Sequence, residues 1–204
     1  AESKEENRYM RQASGPFREF YAKLGIPPRP CPRRRVIDHL DRLRILRAGL
    51  LAVHANDTTL AEARRIRQRN IAVAVCPGSM DYFGFSPLGV GRLISENVEI
   101  IFGTDSMASN TRLNLFDELR LAARAWKLAP RSIIESATCI PGDRFWRGKA
   151  GRLAPGCFAD MLLVRRSSAP AEPFADLLSG RAERRIRIGI MDGEVFIDRT
   201  RSNK

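Results

Sequence analysis

Three short apolar runs, each followed by a segment with helical periodicity, constrain the fold of this chain more than any other feature. The runs are GLLAVHA from residue 49, IAVAVCP from residue 71 and VEIIFGTD from residue 98. After the first run, Leu60, Ala63 and Ile66 fall on one face of a predicted helix. Continuous apolar strands that alternate with helices are typical of a parallel sheet with both faces covered. We therefore predict an α/β fold in which these runs are parallel strands.

The alternation stops after residue 150, and the pattern becomes that of a small β layer. The segments GRLAPGCFADMLLVRR and RRIRIGIMDGEVFIDR are β-like, and Asp192-Gly193 in the second predicts a hairpin turn. The segment FADLLSG predicts a short helix between them. We therefore expect two parts, residues 1–150 and residues 151–204.

Composition excludes several classes of protein. The chain has 204 residues, of which 44% are hydrophobic and 28% charged, as in soluble globular proteins. No apolar run approaches the roughly 20 residues needed to span a bilayer, and no secretory leader is visible, so we expect no membrane partner and a cytoplasmic location. Four cysteines without a C-x-x-C pair indicate small apolar residues in a reducing compartment.

The charge balance is strongly basic, with 35 lysines and arginines against 23 acidic residues and a net charge of +12. Clusters such as Arg33-Arg34-Arg35 can contact phosphates. However, no interleaved aromatic residues or nucleic-acid-binding motif accompany them. We therefore interpret most of these arginines as solvated helix faces, and a basic nucleic-acid-binding module is the least favoured alternative.

Polar side chains follow the predicted strands where parallel sheets bind their ligands, at the carboxyl ends. His54 ends the first run, Ser79 follows the second, and Asp105 ends the third. Asp105 could be only a turn or capping residue, and His54 only a hydrogen-bonded structural histidine. Alternatively, Asp105 binds a metal ion and accepts a proton from the water that the metal activates, while His54 contacts the substrate.

A resemblance favours the second alternative. The segments HANDTTLAEARRIRQRNIAVAVCPGSM, FGTDSMASN and NLFDELRLAAR resemble the carboxyl half of the amidohydrolase superfamily. The similarity is greatest to its cytosine-deaminase-like and chlorohydrolase-like branch, which includes aminofutalosine and adenosine-derivative deaminases. The tail GRLAPGCFADMLLV resembles that family's return to a flanking β-sandwich. The resemblance implies the carboxyl-terminal part of a (β/α)8 TIM barrel, about units 6 to 8, in residues 1–150, and part of the β-sandwich in residues 151–204.

The resemblance also implies roles for individual residues. Asp105 matches the family's metal-binding aspartate and general base, and His54 matches a histidine that contacts the substrate. Glu2 matches the glutamate that passes a proton to the leaving amine, and Ser79, with the segment DYFGF, would border the substrate pocket. The implied cofactor is one divalent metal, with zinc the usual choice for histidine and carboxylate ligands. The implied substrate is a heterocyclic amine or nucleoside-like small molecule.

The ligand set of such an enzyme is incomplete in this sequence. The family's H-x-H pair is absent, and the fifth-strand histidine would lie immediately before Ala1. We therefore expect the carboxyl-terminal portion of a metal-dependent amidohydrolase that cleaves a non-peptide C–N bond. Its partner would be the missing amino-terminal half of the barrel, and the chain alone would be inactive. The alternative is a degenerate, non-catalytic half-barrel that needs a partner chain.

Overall fold

The structure, a computed structural model, describes residues 1–27, 30–166, 172–180 and 182–200. It divides into two compact units. The first comprises Ala1–Cys76 and Met80–Ile100, and the second comprises Pro77–Ser79 and the described residues from Ile101 onward. The predicted division at residue 150 stays a prediction. Part of the proline-rich connector IPPRPCPRRR, at residues 28 and 29, lies outside the described residues.

Three helices come first, and from residue 51 to residue 102 short strands alternate with helices. In chain order the elements are α1 (Lys4–Gln12), α2 (Pro16–Lys23), α3 (Val36–Arg42), β1 (Leu51–Val53), α4 (Leu60–Gln68), β2 (Ala72–Val75), α5 (Pro77–Phe83), α6 (Leu88–Ser95) and β3 (Ile100–Phe102). The core of the first unit is aliphatic, because Ile66, Val73 and Leu93 are each completely buried. The three apolar runs are therefore strands, as predicted, and the α/β class is confirmed.

The remaining elements are α7 (Leu115–Trp126), α8 (Pro130–Glu135), α9 (Cys139–Trp146), β4 (Met161–Val164), α10 (Pro173–Leu178), a 3-10 turn (Ala182–Arg185), β5 (Ile186–Met191) and β6 (Glu194–Asp198). Leu119, Ala122 and Ile133 are buried in the second unit. None of the helices in the described ranges has the length and apolar character that crossing a membrane requires.

The first sheet has the strand order β1-β2-β3. β1 and β2 are parallel, with Leu51 opposite Ala72, and the Val73 amide donates to the Glu99 carbonyl at 2.9 Å. β3 is buried throughout, whereas Val53 in β1 is 52% exposed. The expectation that every strand is covered on both faces is therefore wrong for β1. The physical reason is that none of the described residues covers the face of β1 on which the Val53 side chain lies.

The second sheet is antiparallel, in the order β4-β5-β6. Met191 pairs with Glu194 across a two-residue turn, in which Asp192 and Gly193 both have positive φ, 51° and 81°. This geometry matches a tight hairpin turn, for which Asp-Gly is a favoured sequence. The predicted hairpin is therefore confirmed, as is the short helix α10 that precedes it.

The structure differs from the sequence prediction at two helices. The pattern of RSIIESATCI predicts one helix, but α8 ends at Glu135 and α9 begins at Cys139. The break occurs because the Ser136 carbonyl accepts a hydrogen bond of 3.4 Å from the Phe102 amide of β3, outside the helix. In addition, α5 was not predicted, although Pro77 at its first position is a common helix start.

Many arginines in the basic clusters bind acidic side chains of the same chain. Such pairs are Arg35–Asp57, Arg35–Glu62, Arg65–Asp41, Arg69–Asp41 and Arg185–Asp176. Internal pairing reduces the positive charge that these arginines can offer to phosphates. Arg65 and Arg69 lie in α4 and at its end, as the helix-face interpretation expects, whereas Arg35 precedes α3 and Arg185 ends the 3-10 turn.

Candidate functional site

The carboxyl end of β1 turns sharply at His54 and Ala55. These two residues have left-handed backbone conformations, with φ of 66° and 51°. The His54 amide still donates to Ala74 of β2 at 2.8 Å, and the Thr58 hydroxyl donates to the Ala55 carbonyl at 2.6 Å. A left-handed conformation costs roughly 1–2 kcal/mol for a residue with a Cβ. Positive φ also occurs at helix ends in this chain, such as Ala13 and Lys127, so the turn fixes the position of His54 and its functional role stays a prediction.

Glu2 lies beside His54 in the first unit. A carboxylate oxygen of Glu2 and a ring nitrogen of His54 are within 4.8 Å of each other. Glu2 precedes α1, whose N-cap is Ser3, and its amide donates to the Glu6 carboxylate at 2.8 Å. Glu6 in turn donates its amide to the Ser3 hydroxyl at 3.2 Å. These two hydrogen bonds fix the backbone of Glu2, and the structure thus brings together two of the predicted catalytic residues.

A buried network fixes the turn that follows His54. The Arg35 guanidinium contacts the Asp57 carboxylate at 3.1 Å and the Glu62 carboxylate at 2.9 Å. Asn7, which is 3% exposed, donates to the Asp57 carboxylate at 2.8 Å. Glu62 also completes a capping box with Thr59 at the start of α4. These contacts hold the β1 turn against α1, α3 and α4.

A cavity of about 180 Å³ lies next to Glu2 in the first unit. Its walls come from the start of α1, from Asn56 and Asp57 after β1, and from Gly84, Phe85 and Ser86. Gly84 and Phe85 belong to the segment DYFGF, which was predicted to border the substrate pocket. The cavity has room for a group of several atoms beside the Glu2 carboxylate.

Asp105 follows β3 in the second unit, and both of its carboxylate oxygens are oriented by local hydrogen bonds. The Ser106 amide donates to one oxygen at 2.8 Å, and the Ser109 hydroxyl donates to the other at 2.7 Å. The backbone of Asp105 is left-handed, with φ of 57°, and the residue is exposed. Asp105 is therefore a fixed, accessible carboxylate at a strand end, as a metal ligand or general base requires.

A buried acid, Glu118 of α7, supports this turn and was not identified from the sequence. Glu118 is 1% exposed. The Gly78 amide donates to one carboxylate oxygen at 2.6 Å, and the Asn110 side-chain amide donates to the other at 2.6 Å. Burial raises the pKa of Glu118, and these two hydrogen bonds act in the opposite direction. The signal in the sequence was a carboxylate on the apolar face of a strongly periodic helix, one position before Leu119.

Ser79, the predicted substrate-binding serine, lies in the interior. It is 1% exposed, and its hydroxyl has no hydrogen-bond partner among the described residues. A buried hydroxyl without a partner is unfavourable by roughly 1–3 kcal/mol. Its role in substrate binding stays a prediction.

The donor atoms of the predicted residues suit a divalent metal. Glu2 and Asp105 offer carboxylate oxygens and His54 offers an imidazole nitrogen, all of which zinc accepts in proteins. A catalytic zinc site has about three protein ligands and an open position for water. Asp105, the predicted metal ligand, thus fits one position of such a ligand set.

Comparisons with known proteins identify the family and the fold of the chain. The Amidohydrolase family profile matches residues 1–195. A 5-methylthioadenosine/S-adenosylhomocysteine deaminase from Natronomonas pharaonis is 28% identical over 176 residues, which cover 80% of this chain and 41% of that protein.

Two solved structures share the fold. An adenosine deaminase from Xanthomonas campestris with bound zinc has a TM-score of 0.77 and 23% identity, covering 97% of this chain and 44% of that one. The aminofutalosine deaminase of Helicobacter pylori, in complex with methylthio-coformycin, has a TM-score of 0.80 and 20% identity, covering 96% and 49%. The chain thus spans less than half the length of each of these three proteins. Because the family profile covers nearly all of the sequence, the chain belongs to the amidohydrolase family.

Proposed function

We propose that the protein carrying this chain is a metal-dependent hydrolase that removes the amino group of a heterocyclic amine by adding water. The observation that carries this proposal is the carboxylate of Asp105, exposed directly after β3 with each oxygen oriented by one hydrogen bond. Family membership and the deaminases among the relatives support the same reaction class.

The proposed roles follow from the chemistry of each side chain. As a water oxygen adds to the ring carbon, Asp105 accepts one of the two water protons. His54 donates a hydrogen bond to the oxygen that becomes the ring carbonyl. Glu2 delivers a proton to the amino nitrogen, so that the C–N bond breaks and ammonia leaves, and the second water proton moves from the oxygen to the neighbouring ring nitrogen. The proton that Asp105 accepted then replaces, through solvent, the one that Glu2 gave up. Acid and base catalysis of this kind contributes roughly 10²–10⁴-fold to each proton transfer.

A divalent metal, with zinc the leading choice, would be held by Asp105 together with histidines outside this chain. When bound, such an ion lowers the pKa of water towards about 7 and so makes a nucleophile available at neutral pH. Glu2 acts from the wall of the 180 Å³ cavity, and a ring nitrogen of His54 lies within 4.8 Å of the Glu2 carboxylate. Ser79 and the DYFGF segment would contact the ring or its substituent.

A 6-aminopurine nucleoside is the substrate class we favour. The relatives are named as deaminases of methylthioadenosine, S-adenosylhomocysteine and adenosine. The enzyme solved with methylthio-coformycin has a nucleoside-like ligand of the same kind. The cavity beside Glu2 is lined by Phe85 and by the polar residues Asn56 and Asp57, a mixture that suits a polar heterocycle.

We propose further that β1, β2 and β3 are strands 6 to 8 of a (β/α)8 barrel, and that β4, β5 and β6 belong to its flanking β-sandwich. An amino-terminal half-barrel with an H-x-H pair would complete the metal site. The second candidate is a non-catalytic half-barrel that binds a partner chain. The coding DNA upstream distinguishes the two. An in-frame H-x-H segment supports the enzyme, and a stop codon directly upstream supports the alternative.

The activity test measures ammonia released from methylthioadenosine and from adenosine by the complete encoded protein, loaded with zinc. We expect steady release that stops when a chelator removes the metal and resumes when zinc is restored. Release that persists at the same rate after complete metal removal would contradict the proposal, as would no release from any aminopurine or aminopyrimidine at full zinc occupancy.

A further inference from the structure

We propose that Glu118 is a positioning residue, which holds the loop carrying Asp105 in the conformation that binds the metal. This inference rests on the proposed function. None of the hydrogen bonds described above joins Glu118 of α7 directly to Asp105.

The loop from residue 104 to residue 110 is closed by one side chain. The Asn110 amide donates to the Thr104 carbonyl at 2.8 Å, across the residue next to Asp105. The same amide nitrogen donates to Glu118 at 2.6 Å. Its two hydrogens therefore join the two ends of the Asp105 loop to each other and to α7.

Glu118 also reaches the segment that follows β2. Its second oxygen accepts the Gly78 amide at 2.6 Å, at the start of α5. Space is limited here, because a Cβ on Gly78 would lie 2.5 Å from both Glu118 Oε1 and Asn110 Nδ2. Glu118 thus connects the segment after β2 to the loop after β3. Only glycine fits at position 78, where the two segments meet.

Burying the Glu118 carboxylate costs free energy, and an apolar side chain could fill the same space without that cost. Glu118 is 1% exposed and its burial raises its pKa, whereas its neighbours Leu119 and Ala122 on the same face are apolar. Burying a charge is unfavourable unless its oxygens are hydrogen-bonded, and here both are. Supporting residues that orient metal ligands in this way change metal affinity or activity by roughly 10–100-fold when they are replaced.

The test compares Glu118→Gln with wild type in the complete encoded protein. Gln keeps the size of Glu, but its amide nitrogen must face either the Gly78 amide or the Asn110 amide, so one donor loses its acceptor. We expect the zinc dissociation constant to rise about 10–100-fold, kcat to fall and KM to change little. We also expect faster hydrogen exchange in residues 104–110.

Leu119→Ala is the matched control, because it weakens the same helix through a cavity without touching the network. It should lose stability while its zinc affinity and loop exchange stay those of wild type. Asn110→Ala is the second variant and should change zinc affinity in the same direction as Glu118→Gln. If Glu118→Gln binds zinc like wild type, or if Leu119→Ala loses as much affinity, the proposal is wrong.

If neither network variant folds, the network determines folding rather than ligand position, and the proposal is overturned. Failure of the proposed function is distinguishable. In that case wild type releases no ammonia, whereas the zinc affinities and the exchange rates of residues 104–110 still report whether Glu118 orders the loop.

Discussion

Gly78→Ala gives the sharpest test of the packing beneath Asp105, because helix propensity and the structure predict opposite signs. Gly78 lies in the first turn of α5, and a helical glycine replaced by alanine normally stabilises a protein by about 0.5–1 kcal/mol. Here the new Cβ would lie 2.5 Å from Asn110 Nδ2 and from Glu118 Oε1, and 2.9 Å from Asn110 Oδ1. Real Cβ contacts are not this short, so these side chains must move and weaken their mutual hydrogen bonds.

The size of the effect follows from two costs. Leaving a buried polar group without its partner costs about 1–3 kcal/mol. Forcing extra volume into a packed site costs about 1–3 kcal/mol. After subtracting the propensity gain, we expect Gly78→Ala to lower the free energy of unfolding by about 3 kcal/mol.

The assay is urea unfolding of the purified protein, with Gly84→Ala as the control at the other end of α5. Gly84 has φ of 66°, and no heavy atom lies within 4 Å of the position that its Cβ would take, so alanine there costs only about 1 kcal/mol of backbone strain. Gly78→Ala should therefore be the more destabilised variant. A Gly78→Ala protein as stable as wild type, or more stable, would refute the proposed packing of Gly78 against Glu118 and Asn110.

Three further predictions concern single residues. Glu2→Gln should lower kcat by roughly 10²–10⁴-fold in the ammonia-release assay without changing the unfolding midpoint, and an unchanged kcat would remove Glu2 from catalysis. Thr59→Ala removes the capping box of α4 and should cost about 1 kcal/mol in thermal unfolding, whereas Thr200→Ala, at an exposed position, should cost almost nothing. Because the pKa of Glu118 is raised, the folded state binds the Glu118 proton more tightly than the unfolded state does. The stability that Glu118 contributes is therefore fully present below the ordinary pKa of 4.5 and is lost as pH rises through the raised pKa. The stability advantage of wild type over Glu118→Gln should therefore shrink as pH rises above 4.5 in urea unfolding, and an advantage that grows with pH would contradict the raised pKa.

The sequence predicted the strands well because their apolar runs are continuous and their helices periodic. β1, β2 and β3 all lie within the predicted runs, and the pair Thr58-Thr59 before the periodic segment predicts the N-cap of α4, which is Thr59. Periodicity was less reliable at helix starts. Leu60 and Leu88 share the apolar stripe of their helices, yet they are 40% and 66% exposed, because the first turn of each helix extends beyond the core.

The sequence predicted the candidate-site residues at the strand ends, but not the residues that support them. Strand ends identified His54 and Asp105, because the carboxyl ends of parallel strands are where ligands bind. The supporting network could not be found in the same way. Glu118 contacts Gly78 and Asn110, which are 40 and 8 residues away, and no local pattern encodes such a contact.

The left-handed backbones of His54 and Asp105 were equally invisible in the sequence. Asparagine, aspartate and histidine are enriched in this conformation among residues with a side chain, but most of them do not adopt it, so residue type alone does not predict it. Only the surrounding hydrogen bonds, such as that from the His54 amide to Ala74, determine the turn.

The most direct test of the central claim is kcat/KM for ammonia release by Asp105→Ala and wild type, measured at saturating zinc on the complete encoded protein. Circular dichroism and the unfolding midpoint establish that both proteins are folded. If Asp105 accepts the proton of the attacking water, Asp105→Ala should lose at least about 10³-fold in kcat/KM while keeping its fold. Undiminished turnover in the folded variant would contradict the assignment of Asp105 and, with it, the proposed mechanism.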